Sequence, residues 1–177
     1  MPVIDVQRST FIVIDFQARL MPAIEGGAAA AANVRRLLGA AAMLNVPALF
    51  TEQNPKGLGP TSAELAADEA RVFRKMSFDA ARTAGFAERL ADGHALILAG
   101  VEAHVCVLQT ALGLVEKGWR VYVVRDAVAS RRAESKDAAL RRMEANGVEI
   151  VTTEMVVFEW LGSADNPKFK ETVALIK

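Results

Sequence analysis

The sequence predicts an α/β fold: a three-layer α-β-α sandwich on a doubly wound sheet of six parallel strands, order 3-2-1-4-5-6, in a single domain over residues 1–177. Three observations carry this. Six short apolar runs, rich in β-branched residues, are separated by longer segments whose apolar residues recur at helical spacing. Most runs are continuously apolar, as in strands covered on both faces, rather than alternating as in a one-sided sheet. No linker-like stretch divides the 177 residues, a length at which one core suffices without disulfides or metals.

The first strand is Phe11-Ile12-Val13-Ile14. The alanine run at residues 28–32 begins a helix whose buried face carries Val34, Leu37, Leu38, Ala41 and Leu44, and Asn45 stops it. Pro47-Ala48-Leu49-Phe50 is the second strand. Gly57-Leu58-Gly59-Pro60 is read as a loop; it opens no helix after a strand in the way a dinucleotide loop does, and Pro60 lacks an amide to offer a phosphate. Arg71-Val72-Phe73 and Ala95-Leu96-Ile97-Leu98-Ala99 are strands three and four. A helix follows with Val107, Leu108, Ala111, Leu112 and Val115 on one face, ending at Gly118. Arg120-Val121-Tyr122-Val123-Val124 and Val148-Glu149-Ile150-Val151 are strands five and six, the latter preceded by a helix stop at Asn146-Gly147. Strict alternation of strand and helix calls for a parallel sheet with right-handed crossovers.

Twenty-one acidic and twenty-one basic residues balance to zero net charge, which provides no footprint for nucleic acid or an anionic membrane surface. The lone cysteine builds no disulfide framework, and the opening residues contain no apolar core of a secretory leader, so a cytoplasmic location is expected.

In doubly wound sheets, ligands bind beyond the carboxyl ends of the strands, beside the point where strand order reverses. Strands one and four flank that point. Asp15 ends strand one, Cys106 follows strand four, and Lys75 follows strand three, so all three converge on one edge. Taken singly, each has a structural reading: Cys106 as a small buried hydrophobe, Asp15 as a helix cap, Lys75 as a solvated loop charge. Together they are a carboxylate able to take a thiol proton, a cation and a nucleophile. A helix starting near Cys106 offers unpaired amides that can lower the thiol pKa and bind an oxyanion. His94 lies at the opposite edge and reads as a surface turn residue. His104 points away from Cys106 on a helix and reads as a pocket rim, so neither histidine is the base.

Val13-Ile14-Asp15-Phe16-Gln17, Lys75-Met76-Ser77-Phe78 and Gly100-Val101-Glu102-Ala103-His104-Val105-Cys106-Val107, in that order, resemble the isochorismatase-like cysteine hydrolase superfamily over nearly the whole chain. Residues 51–59 and 154–161 resemble its compact branch, the isochorismatase domain-containing proteins. The resemblance implies a catalytic Asp15-Lys75-Cys106 triad, an oxyanion hole formed by the Glu102 and Cys106 amides beside a cis Val101–Glu102 peptide, and a small-molecule pocket bordered by Phe16, Gln17, Glu52, Gln53, Phe78 and His104. It also implies a homo-oligomer, for which Phe158, Trp160, Leu161 and Phe169 in the C-terminal segment supply a surface. The metal-binding Asp-x-His pattern of nicotinamidases is replaced by Thr51-Glu52-Gln53-Asn54, so neither metal nor cofactor is expected.

These readings converge on a hydrolase that cleaves a small amide, carbamoyl or related carbon–nitrogen bond through a thioester. Two alternatives stand beside it. One is vinyl-ether hydrolysis of an isochorismate-like acid; the other is a non-catalytic, redox-responsive assembly protein in which Cys106 is a sensor thiol.

Overall fold

The computed structural model describes residues 3–177. Met1 and Pro2, the first residues of the segment read above as lacking a leader, lie outside them. Six strands form one parallel sheet in the order β3-β2-β1-β4-β5-β6: β1 Ser9–Ile14, β2 Ala48–Gln53, β3 Val72–Lys75, β4 Ala95–Val101, β5 Val121–Ala129 and β6 Glu149–Val151. The helices are α1 Gly27–Met43, α2 Pro55–Leu58, α3 Leu108–Glu116, α4 Ala133–Glu144, α5 Thr153–Leu161 and α6 Phe169–Val173.

The continuous apolarity of the strands is explained by burial on both sides. On β1, Phe11 and Val13 turn to the face that packs against Val34, Leu37 and Ala40 of α1 and Val157 and Trp160 of α5. Ile12 and Ile14 turn the other way, to Ala111 and Leu114 of α3 and Leu140 and Met143 of α4. Each face thus has its own apolar layer, which is what alternate side-chain direction along a doubly covered strand requires. No helix among the described residues is long and apolar enough to cross a membrane.

The strands run further toward the carboxyl edge than their apolar runs. β2 continues through Thr51, Glu52 and Gln53, polar residues that stay buried or half-buried because their side chains find partners at that edge. β5 continues past the charged pair Arg125-Asp126 to Ala127-Val128-Ala129; the register against β4 shifts there, so that Gly100 and Val101 pair with Val128 and Ala129. The segment read as a loop at residues 57–60 begins inside a short helix, α2, which Pro55 starts and Gly59 ends at φ 79°. The step from β4 into α3 is not direct either. A wide π-type turn over Ala103–Val107 intervenes, and both the Val105 and Val107 amides donate to the Glu102 carbonyl.

The C-terminal aromatics divide between core and surface. Trp160 is fully buried, and its indole N–H donates to Ser9 Oγ at 3.1 Å; Leu161 is buried as well. Phe158 pairs with Phe169 and, with Met155, is left largely exposed on the outside of α5.

Candidate active site

Asp15, Lys75 and Cys106 meet at the carboxyl edge where strand order reverses. Asp15 is the first residue beyond β1 and adopts φ 52°, a left-handed conformation uncommon outside glycine and tolerated only where its surroundings enforce it. The enforcing contacts are its amide, which donates to the Thr51 carbonyl, and its carboxylate, which takes the Thr51 hydroxyl on Oδ1 at 2.6 Å and Lys75 Nζ on Oδ2 at 2.8 Å.

The Asp15 and Lys75 side chains are both sealed from solvent. Such a pair carries a large desolvation cost, repaid only with close geometry and full hydrogen bonding. Lys75 meets that condition: besides Asp15, its ammonium donates to the carbonyls of Ser77 at 3.2 Å and Phe78 at 3.3 Å, so all three protons are placed.

Cys106 is buried in the π-type turn, where its thiol feels the charges of both Asp15 and Lys75. Burial, first, and the Asp15 charge, second, push the thiol well above the ordinary cysteine range; Lys75 pulls the other way and is outweighed. This reverses the direction expected from the helix start and Lys75. The sulfur rests as a thiol poised against a base.

The Val101–Glu102 peptide bond is cis. Gly100 pairs with Ile14 of β1; a Cβ there would sit 2.6 Å from Ile14 Cβ, 2.7 Å from the Ile14 carbonyl oxygen and 2.9 Å from Val107 Cγ2. Glu102 directs its carboxylate away from the sulfur's base, to the amide and Nε of Arg131 at 2.9 and 3.0 Å.

The pocket residues implied by resemblance take diverse positions. Phe16 packs in the layer with α1 and α5. Gln17 donates to the Gln53 and Gly59 carbonyls and accepts the Gln53 amide, tying the loop after β1 to β2. Glu52 is spent on the Thr61 amide and hydroxyl and on Arg74. Gln53 donates to the Met76 carbonyl, and Phe78 leaves its ring half exposed while its carbonyl holds Lys75. His104 is half-buried, with Nδ1 3.0 Å from Ser130 Oγ, and lines a cavity of about 370 Å³ with Arg131, Arg132 and Ser135. His94 is also more than a turn residue, since its Nδ1 lies 3.0 Å from both Thr10 Oγ1 and the Ser9 carbonyl.

Two contributors were missed in the sequence. Thr51 orients the Asp15 carboxylate; its signal was a hydroxyl one residue past the apolar run of the strand beside β1. Arg131 stands just past the carboxyl end of β5, next to β4, a placement hidden by the polar break at residues 125–126. Among the described residues, no group of three or more His, Cys, Asp or Glu is gathered so that it could hold a metal ion.

The chain matches the sequence profile of the Isochorismatase domain over residues 9–155. Isochorismatase domain-containing protein 2 of Danio rerio is 37% identical over 170 residues, covering 95% of this chain and 86% of that protein. The solved structure of the MAR1 ribonuclease from Caenorhabditis elegans superposes with a TM-score of 0.93 at 37% identity, covering 99% of this chain and 92% of that one. The YcaC gene product of Escherichia coli, an octameric hydrolase of unknown specificity, gives 0.88 at 26% identity, covering 99% of this chain and 88% of that one.

Proposed function

The chain belongs to the isochorismatase family, and from that membership and the geometry above we propose that it is a cysteine hydrolase of small amides or related carbon–nitrogen bonds. The observation that carries the reading is the buried Cys106 thiol set beside an Asp15 carboxylate that Lys75 and Thr51 hold in place.

Because the resting sulfur is protonated, nucleophile and base act together. Asp15 accepts the thiol proton as Sγ bonds to the substrate carbonyl carbon, whose oxygen becomes the oxyanion. The Glu102 and Cys106 amides supply the oxyanion donors, each of a kind worth about 2.7–4 kcal/mol in other enzymes. Collapse of the tetrahedral adduct breaks the carbon–nitrogen bond, and Asp15 passes its proton to the departing amine, leaving a thioester. Asp15 then takes a proton from water as the water oxygen adds to that thioester, and returns it to the sulfur as the acid leaves. Lys75 fixes the carboxylate and steadies its charge through both halves. The pocket residues among the resemblance's set that border the substrate in this reading are Gln53, Phe78 and His104, and neither metal nor cofactor takes part.

Vinyl-ether cleavage would need Asp15 as a proton donor, whereas both of its oxygens face donors that suit a carboxylate. A purely structural or redox role would leave the buried Asp15–Lys75 pair without a task. The octameric bacterial relative supports assembly of this chain into a homo-oligomer.

The test is turnover of a panel of small amides by the wild type and Cys106→Ala. Wild-type hydrolysis with a loss of at least about 10³-fold in the variant is expected; equal turnover would remove the cysteine mechanism. Single-stranded RNA belongs in the panel because of the nematode relative's name. It is expected to stay intact, since the net charge of zero is no match for a phosphate backbone.

A further inference from the structure

We propose that Thr110 and Asp79 are positioning residues for this chemistry: they dock the segment after β3 onto α3 and thereby hold the Lys75 ammonium at a fixed place relative to Cys106. The inference rests on the amidase reading for the reaction it serves, whereas the dock itself stands on its own contacts.

The segment at residues 76–83 supplies two of the three acceptors of Lys75, the carbonyls of Ser77 and Phe78. The ammonium follows those carbonyls, since a side chain sealed from solvent has no water to replace them. Thr110 grips the segment at the same place. Its buried hydroxyl accepts the Ala80 amide at 3.0 Å and donates to the Phe78 carbonyl at a longer 3.4 Å, so one carbonyl oxygen joins Thr110 to Lys75. A threonine within a helix often returns its hydroxyl to the carbonyl one turn back. This one reaches a neighbouring segment instead. Thr110 stands four residues past Cys106, on the helix that the cysteine turn leads into, so a single side chain ties the nucleophile's helix to the cation's acceptors.

The dock continues along one face of α3. Thr110, Gly113 and Glu116 recur at three-residue spacing, each about one turn beyond the last. At Gly113 the helix leaves a notch that the Asp79 carboxylate fills; a Cβ there would run into Oδ2 and sit 2.8 Å from Oδ1 and 2.9 Å from Cγ. Asp79 Oδ1 takes the Ala81 amide at 2.8 Å, and Oδ2 meets Arg82 Nε at 3.2 Å, the same guanidinium that reaches Glu116 at 2.9 Å. Burial, the largest influence on Asp79, pushes its carboxyl above the usual range. A carboxylate held in a fitted notch where its charge is disfavoured is an anchor, not a solvated loop residue. Inside the segment, the Ser77 hydroxyl donates to the Asp79 carbonyl at 2.7 Å, so a displacement at residues 79 and 80 carries back to the carbonyls on Lys75.

The experiment takes Thr110→Val, which keeps the shape of the side chain and removes its oxygen. It reads the iodoacetamide labelling rate of Cys106, the only cysteine, at a pH below the thiol midpoint, and kcat on the amides that the wild type hydrolyses. With its acceptors released, the ammonium turns toward water and its pull on the thiolate weakens. Labelling is expected to slow at least about threefold, equivalent to half a pH unit in the thiol, and kcat to fall about tenfold. Thr110→Ser restores most of both, and Asp79→Ala, which frees the other anchor, slows labelling as well. In a Lys75→Met background Thr110→Val adds nothing to either reading, because the residue it acts through is gone.

Labelling that Thr110→Val leaves unchanged or quickens, or alters by the same factor with and without Lys75, overturns the positioning role and leaves the amidase reading intact. A loss that Thr110→Ser does not restore overturns it too, since the hydroxyl is the group that acts. Slowed labelling that depends on Lys75, with no amide turned over by the wild type, upholds the dock and overturns the amidase reading.

Discussion

Two side chains at the candidate site pull the Cys106 proton in opposite directions, and the structure makes each pull separately measurable. Burial raises the thiol pKa most, the Asp15 charge raises it further, and the Lys75 charge lowers it. Iodoacetamide labelling of the wild type is expected to show a midpoint above the ordinary thiol value of about 8.5. Asp15→Asn moves it down and Lys75→Met moves it up; shifts of the opposite sign would refute the arrangement. The sign for stability follows. A thiol whose folded pKa is raised contributes fully below the unfolded value, so stability falls as pH rises above about 8.5, and Cys106→Ala removes that share of the alkaline loss. Thr51→Val tests positioning: it deletes a 2.6 Å hydrogen bond to Asp15, and the expected result is a fall in kcat with KM nearly unchanged, because Thr51 is buried and acts through the Asp15 carboxylate. Asp15, Lys75 and Cys106 were legible as residues at strand ends. The protonation state of Cys106 was not, because burial, the largest influence, is a property of the packed molecule.

At the level of elements, the fit of β4 beside β1 at their carboxyl ends depends on the missing side chain at Gly100. A methyl group there meets main-chain oxygen as well as side chains at 2.6–2.9 Å, and backbone on that side is held by the β1 pairing. Gly100→Ala is therefore expected to destabilise the fold by about 1–3 kcal/mol in urea titration, and to lower activity in what remains folded by displacing the Val101–Glu102 link. A neutral effect would mean that the turn relaxes more freely than its contacts indicate. The same element shows where sequence reading ran short. Apolar runs located all six strands but understated β2 and β5, because strand residues at a functional edge are polar and find partners only after folding. Thr51 and Glu52 exemplify this on β2, and Asp126, which takes the Thr153 amide, on β5. The π-type turn left no mark in a helical pattern that runs from Val107 onward in register with α3.

For the whole molecule, the strand order and the switch point followed from alternation and chain length, since a parallel sheet with right-handed crossovers leaves few topologies for six strands. Assembly is a different matter, for a surface that looks apolar in sequence can vanish into the core. Trp160 and Leu161 do so, one tied to Ser9 and both packed against the sheet, and neither is available to a partner. Met155 and Phe158 remain, on the outer side of α5, with the Phe158 ring tilted against Phe169 at a centroid distance of 6.4 Å. A homo-oligomer assembled through this face is expected to scatter light as a multiple of the 19.0 kDa chain at micromolar concentration. Phe158→Arg would place a charge where the partner's apolar surface has to sit, so the mass of that variant should fall toward the single chain while its circular dichroism stays unchanged. An oligomer of undiminished mass would move the interface elsewhere, to the exposed Met76 and Phe78 beside Lys75, where a second copy would border the active site itself. A wild-type monomer would refute assembly outright.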